Sequence, residues 1–236
     1  MAQEISKPVE YYYDYHPTEE DLMGETGWHS RLIRYLSEVL SWLFHDQVCA
    51  IYENLNFYQT LNPRERPVTP DLAVIKGVRW KYVRSWSPNR IGIPPHVVFE
   101  ILSDETWQKD LYEKPTRYAS LGVQEYFAYD PNEPSISRAT ARRLSGWQLD
   151  ARHKEMIEMT PDKQGRLWSE QLQCWLVAEG PYLRLYNHKY QQCLTEAQAE
   201  ALLRKQATEQ AEEQARRAEA FAAKLRSLGI NPDEVI

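Results

Sequence analysis

Apolar positions along this chain change their spacing several times, and each change marks an element. Over residues 28–44, His29, Ile33, Leu36, Leu40 and Leu43 recur at steps of four and three. That spacing puts them on one face of a helix. Glu25 would share the face if the helix reached back one turn. Residues 47–52 and 56–58 read as strand pieces, and 62–67, Asn-Pro-Arg-Glu-Arg-Pro, as a polar turn. Asp71 heads the apolar run Leu72-Ala73-Val74-Ile75, a strand closed by Lys76-Gly77. Residues 78–92 show no regular period. They mix Trp80, Tyr82 and Trp86 with Arg79, Lys81, Arg84 and Arg90, and read as an irregular surface segment. The run from His96 to Leu102 is short, apolar and rich in β-branched residues, which suits a buried strand.

A helix is expected to start near Glu105, capped by Ser103 or Asp104, and to stop at Gly122. Residues 125–129 form the next strand. Strand, helix, strand is the minimal crossover pattern and predicts a parallel or mixed sheet. Residues 135–194 look β-rich. Ser145-Gly146 reads as a hairpin turn between 138–144 and 147–149, and Glu179-Gly180-Pro181 as another between 176–178 and 182–186. Before all this, residues 1–17 read as an extended arm and 19–23 as a short helix. From Thr195, which can cap a helix, Ala, Glu, Gln, Arg and Lys dominate. Ala211, Ala215, Ala218, Ala222 and Leu225 make a narrow seam suited to a coiled coil. That seam is either a homodimer contact or one side of a solvated helix.

The fold class that follows is α/β (α+β): a mixed sheet core flanked by helices, with extra β-hairpins and a C-terminal helical tail. The expected domains are 1–194 and a tail over 195–236. No apolar run approaches the ~20 residues of a membrane span. The first residues lack the basic and then apolar layout of a secretory signal. Cys49, Cys174 and Cys193 are scattered and odd in number, which reads as three reduced thiols in a cytoplasmic protein. The net charge of −6 argues against strong nonspecific DNA binding but leaves room for a local basic groove.

The candidate chemistry lies in two acids. Glu100 interrupts an apolar strand, where a carboxylate is costly unless something pairs with it. Asp71 heads a second strand. Two carboxylates at sheet ends invite a cation between them. Lys114 follows on the expected helix, with Asp110 four residues before it on the same face. Each has a plainer reading: Asp71 a turn residue, Glu100 a partner for a core arginine, Lys114 a solvated lysine. Pro115 biases Lys114 away from helical geometry, so the helix is expected to kink or restart there. His29 reads as either a core histidine or a residue at the edge of the site. Residues 79–90 read as either an ordinary loop or a nucleic-acid surface of charge and stacking.

Pro70-Asp71, Glu100-Ile101-Leu102 and Lys114 together resemble the PD-(D/E)XK nuclease superfamily. Within it, PDLAVIKG (70–77), PPHVVFEILSDETWQKD (94–110), Lys114 and YASLGVQEYFAYDP (118–131) are similar to the Uma-two family of restriction-type endonucleases. The resemblance implies a restriction-endonuclease-like fold and a metal-dependent phosphodiesterase acting on DNA. Asp71, Glu100 and the backbone carbonyl of Ile101 would bind Mg²⁺ or Mn²⁺. Lys114, supported by Asp110, would serve the attacking water. In the common pattern a lysine stands two residues after the second acid, where this chain has Leu102; the family's answer is a lysine moved to the next helix. The same departure, with Pro115 disturbing the replacement lysine, leaves a second reading, a catalytically weak or inactive module of this fold that binds nucleic acid or a protein partner.

Overall fold

The computed structural model describes residues 27–60, 65–133, 135–136, 142–229 and 231. The arm expected over 1–17, the helix over 19–23 and Glu25 lie outside the described residues, as do part of the polar turn and residues 137–141. The chain divides into two compact units, Met1–Cys193 and Leu194–Ile236.

In the first unit, helix α1 (Gly27–Leu43) precedes strands β1 (Cys49–Glu53), β2 (Asn56–Phe57), β3 (Leu72–Lys76) and β4 (Ser85–Trp86). A short helix α2 (Pro88–Ile91) leads to β5 (Val97–Ile101). Helices α3 (Trp107–Tyr112) and α4 (Lys114–Leu121) then cross to β6 (Glu125–Tyr129). Strands β7 (Leu144–Asp150), β8 (Glu155–Glu158), β9 (Leu167–Ser169), β10 (Cys174–Glu179) and β11 (Tyr182–Asn187) complete the unit. Six strands form one sheet in the order β1-β3-β5-β6-β7-β8. β5 and β6 pair in parallel and their neighbours pair antiparallel. A parallel pair needs a crossover, and the α3–α4 segment supplies it. β9, β10 and β11 form a second, antiparallel sheet, and β2 pairs with β4.

Strand alternation sorts the core into two layers. Phe99 and Ile101 of β5 join Leu72 and Val74 of β3 on the face covered by Leu32, Ile33, Leu36 and Leu40 of α1. Val98 and Leu102 join Ala73 and Ile75 on the opposite face, with Tyr118 and Leu121 of α4. Glu100, between Phe99 and Ile101, therefore points to the α4 face. The fold class matches the expected α+β mixed sheet with flanking helices, added hairpins and a terminal helix. Among the described residues no helix is long and apolar enough to cross a membrane.

At four places the structure corrects or sharpens an expectation. β7 runs unbroken through Ser145-Gly146, and its hairpin to β8 closes at residues 151–154 instead. Gly146 serves packing: a Cβ there would lie 2.7 Å from Leu167 Cδ1 and 2.9 Å from the Phe127 ring, where the second sheet meets the first. Residues 78–92 are partly ordered, because Trp86 is buried in β4 and its Nε1–H donates to Ile93 O at 2.8 Å. Of the kink or restart expected at Pro115, the chain takes the restart: the segment before Gly122 is two helices, parted at Glu113. The cysteines are all free thiols, yet Cys174 and Cys193 come together, with Sγ atoms 3.6 Å apart.

In the second unit, helix α5 (Glu196–Ser227) begins with a full capping box. Thr195 Oγ1 accepts from Gln198 N–H at 3.3 Å, and Gln198 Oε1 accepts from Thr195 N–H at 3.0 Å. None of its residues is buried. Pairs four apart, such as Glu200 with Arg204 and Glu213 with Arg217, support it locally.

The Gly146 contact makes a test of the packing between the sheets. Gly146→Ala is expected to lower unfolding free energy by roughly 1–3 kcal/mol, the usual cost of overpacking. Chemical denaturation would show it, and an unchanged midpoint would contradict this packing.

Candidate active site

The site lies at one lip of the main sheet, where β5 ends beside the start of β3. Pro115 determines how Lys114 reaches it. Proline lacks an N–H and clashes inside a helix, but the first turn tolerates it. α3 therefore closes with Glu113 N–H donating to Lys109 O at 2.9 Å, and α4 starts anew at Lys114 with Pro115 in its first turn. From that position Lys114 Nζ donates to Glu100 Oε1 at 2.7 Å. The same ammonium lies 2.7 Å from Asp110 Oδ1, an ion pair across the break between the helices. This contact lies off the hydrogen-bond axis, since Oδ1 is buried without an aligned donor.

Neighbouring side chains hold these three groups. Tyr118, one turn after Lys114, donates its hydroxyl to the same Glu100 oxygen. Thr106, one turn before Asp110, donates to Asp110 Oδ2 at 2.7 Å. Just before β3, Asp71 Oδ2 accepts from Ile101 N–H at 2.6 Å, and Asp71 Oδ1 lies 3.2 Å from His29 Nε2 of α1. The next amide, Leu102 N–H, donates the other way, to Tyr129 O of β6. A trans peptide sets C=O and the following N–H in opposite directions. The Ile101 carbonyl therefore turns away from β6, toward the side on which Asp71 stands.

Burial dominates the electrostatics. Glu100 is 3% exposed and Asp110 1%. Desolvation pushes the Glu100 carboxyl up to about 8; Lys114 opposes the shift, and the charges of Asp71 and Asp110 add to it. Asp110 is raised for the same leading reason. Lys114 is desolvated too, but its two carboxylate partners outweigh that and keep it charged. Three acids thus face one ammonium and one imidazole, so negative charge is in excess at the lip once Glu100 gives up its proton near pH 8. Among the described residues no three or more of His, Cys, Asp and Glu stand as a ready-made metal cage. The donor set nonetheless fits a hard cation such as Mg²⁺, which takes carboxylate, carbonyl and water oxygens. Both donors to Glu100 use Oε1, and Asp71 and the Ile101 carbonyl lie on one side of the strand end.

Of the residues singled out from sequence, Lys114 contacts both Glu100 and Asp110, and Asp71 joins them through Ile101 and through its charge. His29 reaches the site through Asp71 rather than serving only the core. Tyr118 and Thr106 escaped notice. Their signal was spacing: each stands four residues from Lys114 or Asp110, hence on the same helical face.

A family model, Uma2, described as "Putative restriction endonuclease", matches residues 10–166. Among solved structures, this chain is similar to one described as a "putative nuclease belonging to DUF820" from Anabaena variabilis. The two are 15% identical, with a TM-score of 0.41, over 59% of this chain and 72% of that one. No curated protein matches. The family match spans both acid-bearing strands, the divided crossover helix and Lys114, and the chain belongs to the Uma2 family of restriction-endonuclease-type proteins.

Proposed function

We propose that this protein is a metal-dependent endonuclease that hydrolyses DNA phosphodiester bonds with water. The observation that carries this reading is the Lys114 ammonium, 2.7 Å from both Glu100 and Asp110 at the strand end where Asp71 stands. Asp71, Glu100 and the Ile101 carbonyl would hold Mg²⁺ or Mn²⁺. An ion held there acidifies water and offsets the negative charge that develops around phosphorus.

The remaining roles belong to the chain itself. Lys114 orients the attacking water and donates to the phosphoryl oxygens as their charge grows, a fixed dipole-and-charge effect that needs no reorganisation. Asp110, fixed by Thr106, keeps the ammonium charged and aimed. Tyr118 fixes the Glu100 rotamer, and His29 fixes Asp71. The reading as a binding-only module drew on Pro115. Its place in the first turn of α4, with Lys114 in reach of Glu100, favours the catalytic reading.

Purified protein with Mn²⁺ and a mixed panel of DNA substrates provides the test. Asp71→Ala and Glu100→Ala should abolish cleavage, and Lys114→Ala should slow it about 10²–10³-fold, as for loss of one electrostatic donor. An inert wild type, or an Asp71→Ala variant as active as wild type, would overturn the proposal.

Glu100 also predicts a pH dependence. Folding raises its pKa to about 8, so between about pH 4.5 and 8 the folded state holds a proton that the unfolded state has released. Its stabilising contribution is present at low pH and fades as pH rises toward 8. In EDTA, the stability of wild type relative to Glu100→Gln should therefore fall across that window and level off above it. A flat difference by chemical denaturation would contradict the assignment.

A further inference from the structure

The acidic lip poses a problem for a polyanionic substrate, and the sequence between the two acids answers it. From Leu72 to Phe99 there are five cations and no acid, in a chain whose net charge is −6. Part of this stretch lies beside the site. β1 and β3 pair with Tyr52 opposite Ala73, and Asn54 N–H donates to Asp71 O at 3.2 Å. Ala73 is two residues from Asp71, so Tyr52 lies on the sheet face that also carries Glu100 and Tyr118, about 7 Å along the strand from the Asp71 position. Tyr52 in turn anchors the basic stretch. Its hydroxyl donates to Lys81 O at 3.0 Å, and its ring lies 6.4 Å from that of Trp80 at an interplanar angle of 28°.

Above this anchor the side chains open to solvent. Trp80 is 62% exposed and Tyr82 78% exposed, and Arg79 and Lys81 alternate with them and are exposed as well. Single exposed aromatics are ordinary on a surface. Two of them, interleaved with cations and one stacked ring away from the strand that bears Asp71, have the makeup of a nucleic-acid platform. Cations neutralise phosphates, and flat rings stack on bases whatever their sequence. Stacking of this kind needs an open base face, which a paired duplex hides within its own stack.

We propose that Arg79, Trp80, Lys81 and Tyr82 form a platform for unpaired bases, delivering single-stranded or frayed segments of nucleic acid to the acidic lip. The choice of nucleic acid as ligand rests on the nuclease reading. The platform itself is tested without chemistry, by binding in EDTA. The probe is a fluorescent oligothymidylate of about 15 nucleotides, within the usual site size for such grooves, with a duplex of equal length beside it.

Wild type is expected to bind the single strand more tightly than the duplex. Trp80→Ala combined with Tyr82→Ala should weaken single-strand binding tenfold or more and leave duplex binding nearly unchanged. Arg79→Ala combined with Lys81→Ala should reduce the slope of log affinity against log salt by about 0.7 per cation removed. Trp80 touches Tyr52, so Tyr82→Ala alone serves as a second variant whose exposed ring cannot disturb the fold; it should weaken single-strand binding severalfold. No binding by wild type at low salt, or affinity indifferent to loss of either ring, would overturn the platform. A protein that binds through these rings yet never cleaves would sink the nuclease reading and leave the platform standing. An active nuclease whose binding ignores them would do the reverse.

Discussion

One ammonium group shared by two buried carboxylates is the constraint around which this structure is arranged. Glu100 and Asp110 are almost wholly withdrawn from water, and each would be expensive to bury alone as a charge. Lys114, at 2.7 Å from each, lowers that cost for both, although Glu100 still keeps its proton up to about pH 8. Buried ion pairs of this kind rarely add net stability over an apolar core, because desolvation consumes much of the attraction. Keeping three such groups at a strand end therefore points to use rather than to stability. The break between α3 and α4 belongs to the same arrangement. A continuous helix would have placed Lys114 in mid-helix, followed by a proline that cannot be accommodated there.

The main sheet decides how these groups meet. Because β3 and β5 run antiparallel, the start of one meets the end of the other, and Asp71 reaches the Ile101 amide. Because β5 and β6 run parallel, their crossover must return over one face, which brings α4 above Glu100. Strand alternation then decides which side chains meet α1 and which meet α4. The chemistry at the lip thus follows from strand direction, crossover and side-chain period together.

Much of this was legible in the residues. Apolar runs around Val74 and Val98 marked two central strands, and the helical spacing of Ile33, Leu36 and Leu40 marked the helix that covers them. Glu100 stood out because a carboxylate inside such a run must be partnered. Pro115 announced a break, but proline tolerates either a kink or a fresh start, and only packing decides between them. Ser145-Gly146 misled for a related reason. Glycine marks turns through its backbone freedom, yet Gly146 is needed for its missing Cβ under Leu167 and Phe127, a contact between distant segments. Trp86 looked like part of a surface stretch because its core partners are likewise remote in sequence. Tyr118 was visible only as a spacing, and its hydrogen bond to Glu100 depends on the crossover being folded.

In the proposed function the lip takes a divalent cation between Asp71 and Glu100. Calorimetric titration of the full chain with Mn²⁺ at about pH 8, where Glu100 begins to ionise, tests it most directly. The account predicts saturable binding that is lost in both Asp71→Ala and Glu100→Gln, while each variant still folds. Wild type that takes up no Mn²⁺, or variants that bind it as well as wild type, would contradict it.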